Sequence, residues 1–328
     1  MNCHRTHLKV GVFICILTLL GTVSASAQSA RARGMGGAFL GVSDDETATF
    51  YNPAGLSQIQ GREASLQSKV NERDIYNWDS LAFTGHIYED NPKDVFSITD
   101  YLEHNVLEEP IARRPKYSYG CAYTQDYRST ALGRMVGGEF LGIQRETDNL
   151  LLAFGTRFPI ARRMLAREQL YGGIKIQSAN VDRKIATLGT HAKRETQTLG
   201  LGLMYHYNDR ITGGLTVDNV LQRVRGTGSQ RDGVTLNLGA ALRLTKGVLL
   251  SADATNVTNA PRSSQQQWRM GIEKKFIEND FTLRMGSWNG TLTLGFGMHL
   301  IPTIRFDYAF YNGDIVKEHH LGAHVTFD

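Results

Sequence analysis

Residues Thr291–Leu300 have the sequence TLTLGFGMHL, in which two kinds of side chain alternate without a break. One face carries only large apolar groups, namely Leu292, Leu294, Phe296, Met298 and Leu300. The other face carries Thr291, Thr293, Gly295, Gly297 and His299. A β-strand points successive side chains to opposite faces, whereas a helix would scatter these leucines around its axis. The stretch therefore predicts a strand with one apolar face and one polar or glycine face.

The same period of two recurs along most of the chain, which indicates a protein built from strands. It is seen around Cys121 and at 198–207, 234–244, 268–276, 304–310 and 321–327. Short turn signals separate several of these segments: Asn208-Asp209, Thr245-Lys246-Gly247, Asn279-Asp280, Asn289-Gly290 and Ile301-Pro302. Longer polar connections are predicted at 88–116, 181–195, 223–233 and 256–266. Because no connection has the length and period of a crossover helix, we expect an antiparallel all-β fold.

Two all-β folds fit this pattern, a soluble sandwich and a transmembrane up-and-down barrel. The segments run to about ten residues, which is the length that crosses a bilayer when the strand is tilted. The polar faces carry full charges, at Arg269, Glu273, Arg284, Arg305 and Asp307. A water-filled lumen accommodates such charges, and the closing strand with Phe327 next to last is typical of barrels. We therefore predict a barrel whose apolar side chains face lipid and whose charged residues face the lumen, with the sandwich as the alternative.

Counting strands tests the barrel. Residues 63–328 contain about fifteen candidate segments, including the poorly alternating Met135–Gln144, whereas single-chain bacterial barrels have an even number. Either Glu63–Val70 belongs to the N-terminal piece, giving about fourteen strands, or a missed strand near Val95–Leu102 gives about sixteen. We predict fourteen. A periplasmic C-terminus then places the longer connections outside and residues 71–77 in the periplasm.

The start of the chain predicts export. Arg5 and Lys9 precede an apolar stretch, Val10–Val23, and Ala25-Ser26-Ala27 fits a signal-peptidase site, so residues 1–27 are expected to be a cleaved leader rather than a single anchoring helix. Of three cysteines only Cys121 would remain, which excludes an internal disulfide. A net charge of +4 over 328 residues offers no electrostatic case for nucleic-acid binding.

Residues 28–62 do not alternate and are predicted to form a plug segment ahead of the barrel at 63–328. Ser43-x-x-Glu46 matches a capping box that would open a short helix ending at Asn52, before Pro53. The glycines of this segment, Gly34, Gly36 and Gly37, suggest a backbone packed closely against something else. Such a segment could occupy the barrel lumen.

This segment also resembles a known family. The sequence GMGGA at 34–38, the pair Asp44-Asp45 and the sequence NPAGL at 52–56 resemble the N-terminal signature of PorV/PorQ-type outer-membrane proteins, relatives of the FadL transporters. Leu215–Val220 and Phe306–Ala309 are similar to later parts of that family. The resemblance implies a fourteen-strand barrel with the N-terminal segment folded inside. The plug motif would comprise Gly34, Gly36, Gly37, Asp44, Asp45, Asn52, Pro53, Ala54 and Gly55.

The resemblance implies two different functions. FadL-like members pass hydrophobic molecules, whereas PorV-like members act in type IX secretion and hold protein cargo at the surface; a purely structural barrel is a third possibility. Expected partners are outer-membrane lipid and either hydrophobic small molecules or secretion proteins. We expect no enzyme, cofactor or metal, because His299, His319, His320 and His324 lack catalytic or ligand spacing. Asp44, Asp45 and Glu46 fit a helix start better than a cation site.

Overall fold

The computed structural model describes residues 29–71, 76–87, 116–136, 139–158, 168–185, 190–226, 231–245, 247–260, 265–276, 280–313 and 317–327. The predicted leader at 1–27 and nearly all of the connection at 88–116 lie outside these residues. In the part of the chain that is described, no helix is long and apolar enough to cross a membrane.

Fourteen antiparallel strands close into a single barrel, which confirms the predicted fold and strand count and excludes the sandwich. Each strand pairs with its neighbours in sequence, and β1 pairs with β14 to close the sheet. The strands are β1 Arg62–Asn71, β2 Tyr76–Ile87, β3 Tyr117–Val136, β4 Glu139–Phe158, β5 Gln169–Ile185, β6 Thr190–His206, β7 Ile211–Gly226, β8 Thr235–Thr245, β9 Val248–Thr255, β10 Gln267–Phe276, β11 Phe281–Trp288, β12 Thr291–Ile301, β13 Ile304–Asn312 and β14 Lys317–Phe327.

The number fourteen is right, but the reason for it was wrong. Glu63–Val70 does not belong to the N-terminal piece: it lies in β1, which pairs with β14 from Arg62↔Phe327 onward. The extra segment among the fifteen candidates is Met135–Gln144, which is not a separate strand. Its ends belong to β3 and β4, which pair with each other at Val136↔Glu139, so the segment spans a hairpin and has no single period.

This miscount reversed the predicted side of every connection before it. Ile87 pairs with Tyr117, and both lie at the barrel end that carries Phe327, here named the C-terminal end. The connection at 88–116 therefore begins and ends at the C-terminal end, whereas the prediction placed it at the other end. The connection between Asn71 and Tyr76 begins and ends at the opposite end. The connections at 256–266 and 223–233 lie at that opposite end as expected.

Two predicted long connections are partly strand. Residues 181–195 contain the paired ends of β5 and β6, up to Ile185↔Thr190, and β7 continues through Gly226. Their polar composition concealed the pairing, because polar side chains on both faces remove the alternation that marks a strand. The turn at Asn289 and Gly290 is confirmed: both residues have positive φ, 48° and 88°, as a two-residue hairpin turn requires.

The two faces of the wall differ as the sequence pattern predicted. On β12 the side chain of Leu294 is 46% exposed on the outside of the barrel, whereas its neighbour Thr293 is fully buried inside. Large apolar residues exposed on the outer face include Leu152, Phe154, Ile176, Leu203, Leu238, Met285 and Leu292. This outer belt matches the surface that a transmembrane barrel presents to lipid.

Candidate functional site: the occupied lumen

Residues 29–61 lie inside the barrel and are here called the plug. They form helix α1 (Ala30–Gly34), helix α2 (Ala48–Tyr51) and a 3₁₀ helix (Pro53–Gln58). Nearly every residue from 29 to 59 is buried. Asn52 ends α2 and its side chain accepts a hydrogen bond from the N–H of Ala54, so the predicted helix stop is confirmed. The plug then passes directly into β1.

The predicted capping box is wrong. The Ser43 hydroxyl donates to the carbonyl oxygen of Phe39, 2.8 Å away, and no helix begins there. Asp45 caps the turn instead, because its carboxylate accepts hydrogen bonds from the backbone N–H (3.1 Å) and the hydroxyl of Thr47. Glu46 instead faces the wall of the barrel, where it contacts His324.

The plug backbone rests on glycines of the inner wall. A Cβ on Gly271 would lie 2.7 Å from the Cβ of Met35, and one on Gly173 would lie 2.5 Å from the backbone nitrogen of Ala54. Similar contacts with the plug occur at Gly120, Gly155, Gly202, Gly214, Gly239, Gly286 and Gly295. These glycines lie on strands β3 to β12. The plug therefore follows the inner wall around most of the barrel, and at these glycine positions the wall has no side chain between its backbone and the plug.

Polar side chains of the wall bind the plug backbone between these glycines. The Asp253 carboxylate on β9 accepts hydrogen bonds from the N–H groups of Phe39 and Leu40, at 2.6 and 2.9 Å. On β12 the Thr293 hydroxyl accepts from the N–H of Gly36 at 2.9 Å and donates to the carbonyl oxygen of Gly34 at 3.2 Å. The segment GMGGA is thus held through its backbone.

Arg31 ties α1 to both the plug and the wall. Its guanidinium lies 2.6 Å from Asp44, 3.0 Å from Asp45 and 2.9 Å from Glu273 of β10. The same side chain covers the ring of Phe39, 5.2 Å from the ring centre. Asp44 and Asp45, two of the motif residues, therefore act as partners of a buried arginine.

The lumen-side charges of the wall continue this network. Arg284 bridges Glu273 (2.8 Å) and Asp307 (2.7 Å), and Arg305 bridges Asp307 (2.8 Å) and Asp45 (3.5 Å). Glu273, Arg284 and Asp307 are each at most 5% exposed. The expectation that water bathes these charges is therefore wrong at these three positions, because the plug occupies the space.

His324 of β14 completes the network. Its Nε2 lies 3.0 Å from Asp307, and its Nδ1 lies 2.8 Å from Glu46 of the plug. Burial alone would raise the pKa of Glu46, but the charge of His324 outweighs it and holds this pKa at about 2. The pKa of the neighbouring Asp45 is raised, first by burial and then by the Glu46 carboxylate. The backbone N–H of Glu46 donates to Glu63 at 3.1 Å.

A second cluster anchors the other side of α1. Arg33 lies 2.6 Å from Glu318 of β14, which is also 3.6 Å from Lys69 of β1. The Nε of Arg33 lies 3.3 Å from Nε2 of His320, so this imidazole also faces the cluster.

An aromatic ring separates two arginines near the turn that joins β11 to β12. The guanidinium carbons of Arg33 and Arg269 each lie 4.1 Å from the ring centre of Trp288, and Arg33 is also 4.4 Å from that of Tyr311. Arg269 additionally donates to the carbonyl oxygen of Gly37 at 3.4 Å. Cation–π stacking of this kind attracts both guanidinium groups to the ring of Trp288, and Arg33 has the Glu318 carboxylate as a further partner.

Apolar side chains of the plug fill the middle of the lumen. Phe39 and Tyr51 meet edge to face, with ring centres 5.2 Å apart, and Met35, Leu40 and Val42 belong to the same buried cluster. A small cleft of about 20 Å³, room for about one water molecule, opens at the C-terminal end. It is lined by Glu46, Glu63, His299, Pro302, Thr303, Arg305, His324, Val325 and Thr326.

The plug fills the lumen over the residues that the structure describes. Among the described residues, no group of three His, Cys, Asp or Glu side chains is placed to hold a metal ion. Sequence reasoning singled out the five lumen-side charges and the motif, but it missed Arg31, Arg33, Asp253 and Glu318. Their signal was weak: Arg31 and Arg33 flank the motif, and Glu318 adjoins two histidines.

Comparison with known proteins shows similarity in structure only. No model of a known protein family matches the chain, and no curated protein matches its sequence. The structure matches the toluene transporter TbuX of Ralstonia pickettii with a TM-score of 0.58 and 13% identity, over 92% of this chain and 99% of that one. It matches the toluene transporter TodX of Pseudomonas putida (TM-score 0.54, 12% identity, 92% and 97% of the two chains). A Pseudomonas aeruginosa FadL homologue matches with a TM-score of 0.56 and 13% identity, over 94% and 99% of the chains. These likenesses establish a shared barrel fold.

Proposed function

We propose that this chain is an outer-membrane channel for small hydrophobic molecules and that the plug is its gate. The observation that carries the proposal is a lumen closed by the plug, in a barrel with the fold of two toluene transporters. The apolar outer belt fits a lipid-embedded barrel, and the leader at 1–27 would direct export. The domain division, plug at 28–62 and barrel at 63–328, is part of this proposal.

The inner wall explains why the plug matters for an apolar solute. Lumen-facing wall residues are mostly polar or glycine, for example Thr124, Asn237 and Asp253. The apolar lumen groups come chiefly from the plug, at Met35 and Phe39 among others. A hydrophobic molecule entering the barrel would therefore meet its apolar contacts on the plug, so movement of the plug would couple binding to passage.

Type IX secretion is the alternative that the PorV resemblance suggests. It requires a surface that faces the cell exterior, and the connection at 88–116 was expected to supply one. That connection begins and ends at the C-terminal end, where the short turns at Asn208-Asp209 and Pro302-Thr303 also lie. Short turns occur at both ends of the barrel, for example at Asn289-Gly290 at the opposite end, and do not orient it. With a periplasmic C-terminus, as expected from the sequence, this connection would be periplasmic. We therefore favour transport.

Toluene uptake into vesicles with a lipopolysaccharide outer leaflet tests the proposal. A leaflet of this kind slows passive entry of toluene, so passage through the protein is measurable. We expect the full chain to speed toluene uptake and to exclude glucose, and a variant lacking 31–59 to admit glucose as well. Asp209→Ala, which changes an exposed turn residue, is the control and should behave as the full chain does. Uptake no faster than in vesicles without protein would refute the channel.

A further inference from the structure

The buried network at the C-terminal end has one more carboxylate than it has permanent cations. Asp45, Glu46, Glu273 and Asp307 are each at most 2% exposed. The guanidinium groups that pair with them come from Arg31, Arg284 and Arg305. Arg31 also contacts the partly exposed Asp44, which pairs with Arg243 as well, so including this second pair leaves the difference unchanged. With all four carboxylates ionised, the three guanidinium groups leave one negative charge uncompensated, which is costly away from water. Glu63, beside Glu46, adds to this excess when it is ionised.

His324 is placed to supply the missing positive charge. It is 5% exposed, and its two ring nitrogens lie 2.8 and 3.0 Å from Glu46 and Asp307. Both nitrogens of an imidazole carry a proton only when the ring is charged, and the charged ring is attracted to the carboxylate on each side of it, although the Nδ1–Glu46 contact lacks hydrogen-bond alignment. Glu46 belongs to the plug and Asp307 to β13, so a protonated His324 bridges the plug to the wall.

We propose that His324 is a proton-operated latch, which holds the plug against the wall while protonated and releases it on losing its proton. The inference rests on the proposed function for the idea that the plug moves. Loss of the proton leaves the two carboxylates facing a neutral ring, with no positive charge between them. An uncompensated buried charge then remains at this contact, which favours movement of the plug away from the wall.

Groups from the plug and from three strands face His324, and the balance of their charges favours the protonated ring. The facing polar and charged groups are Asp45 and Glu46 of the plug, Glu63 and Gln67 of β1, His299 of β12, and Arg305 and Asp307 of β13. Carboxylates outnumber the guanidinium group in this set. The cleft described above reaches both His324 and Glu46 from the C-terminal end, which gives the proton a route to solvent.

His320 shows that this arrangement is particular to one histidine. It lies four positions earlier on the same strand and also faces the lumen. Its cluster contains two cations, Arg33 and Lys69, and one carboxylate, Glu318. Positive charge is already in excess in that cluster, so a protonated His320 is not needed to balance it. The same protonation switch is therefore not expected at His320.

Conductance of the full chain in planar lipid bilayers tests the latch. We expect channels that are almost always closed near about pH 6, with the ratio of open to closed time on the order of a hundredfold higher near about pH 9. His324→Gln should show the high ratio at both values, because its side chain is never charged. His319→Gln, a change at a histidine on the outer face of the same strand, should keep the response of the unmodified chain.

A double variant separates the charge argument from simple damage. Glu46→Gln with His324→Gln removes one negative and one positive charge, so the count balances again, and we expect closed channels at both pH values. Gel mobility before and after heating checks that each barrel is folded. A pH response that survives in His324→Gln, or a double variant as open as the single one, would overturn the latch. Conductance that responds to pH while toluene uptake is absent would refute the transport proposal and leave the latch standing.

Discussion

The inner and outer faces of β12 come from one alternating sequence, yet they meet entirely different surroundings. Leu292 and Leu294 are 48% and 46% exposed on the outer face, where lipid is the expected solvent. Thr293 on the inner face is fully buried and hydrogen-bonded to the plug backbone. The outer face therefore tolerates any apolar side chain of suitable size, whereas the inner face is fitted to one particular segment of the same chain.

This difference shows that a polar face of a barrel strand is not evidence of a water-filled lumen. Threonine, glycine and paired charges suit a wet pore, but they equally suit a surface that binds a backbone and a set of buried ions. Substitutions on each face separate these two kinds of surroundings, and Gly286→Val on the inner face should have the largest effect.

Gly286→Val should prevent the plug from seating. A Cβ at this position would collide with the backbone of Met35 and Gly36, which cannot move without shifting the whole motif. We expect a folded barrel whose residues 29–61 are cut by protease added to proteoliposomes. Gly213→Val is the matched control, because a Cβ there meets nothing within 4 Å. Equal protection of the plug in both variants would contradict the close packing.

Asp307→Ala should lower the free energy of unfolding by about 3–5 kcal/mol, the usual cost of removing one partner from a buried ion pair. Its carboxylate contacts Arg284, Arg305 and His324, so its loss leaves cations buried without a counter-charge. Urea unfolding from lipid vesicles measures the change. The exposed Asp209→Ala should change it by about 0–1 kcal/mol, and a similar loss for both would show that the network is solvated.

The lowered pKa of Glu46 should make the seating of the plug sensitive to acid. Its pKa falls from 4.5 to about 2 on folding, which corresponds to about 3 kcal/mol of stability. Because the folded-state pKa is the lower one, this contribution is complete above about pH 4.5 and is lost as the pH falls towards 2. Protease sensitivity of the plug between about pH 5 and about pH 2 should therefore rise steeply, and less steeply in Glu46→Gln. Identical acid profiles for both proteins would contradict the pairing with His324.

The sequence predicted what depends on short-range order. Alternation identified most strands, and the number of strands followed from the rule that bacterial barrels have an even count. The same reasoning misplaced Glu63–Val70, because one hairpin at Met135–Gln144 carries no period and was counted as a strand. One such error reverses the side of every earlier connection, so the orientation of 88–116 was lost with it.

The candidate site depends on long-range contacts that local spacing does not encode. Arg31 meets Glu273, 242 positions away, and nothing in either neighbourhood specifies the other. Ser43 and Glu46 have the spacing of a capping box, but tertiary contacts with Phe39 and His324 determine where these side chains lie. The wall glycines were visible as one face of several strands, yet only the closed barrel shows that they form a surface for the plug.

The outer face should respond to charge according to depth rather than to a specific partner. Leu294→Arg is expected to cost about 2–4 kcal/mol, because it places a guanidinium in the apolar belt, whereas Leu300→Arg near the strand end should cost about 0–1 kcal/mol. Both leucines are well exposed on the outer face, so the two substitutions differ in depth and not in lost packing. Thr293→Arg should not be milder than Leu294→Arg, as a water-filled lumen would require, since it would displace Gly34 and Gly36 of the plug. Urea unfolding from vesicles measures the loss of unfolding free energy in each variant. A small loss for Thr293→Arg would mean that the inner face is solvated by water. Equal losses for Leu294→Arg and Leu300→Arg would mean that lipid does not surround the outer face.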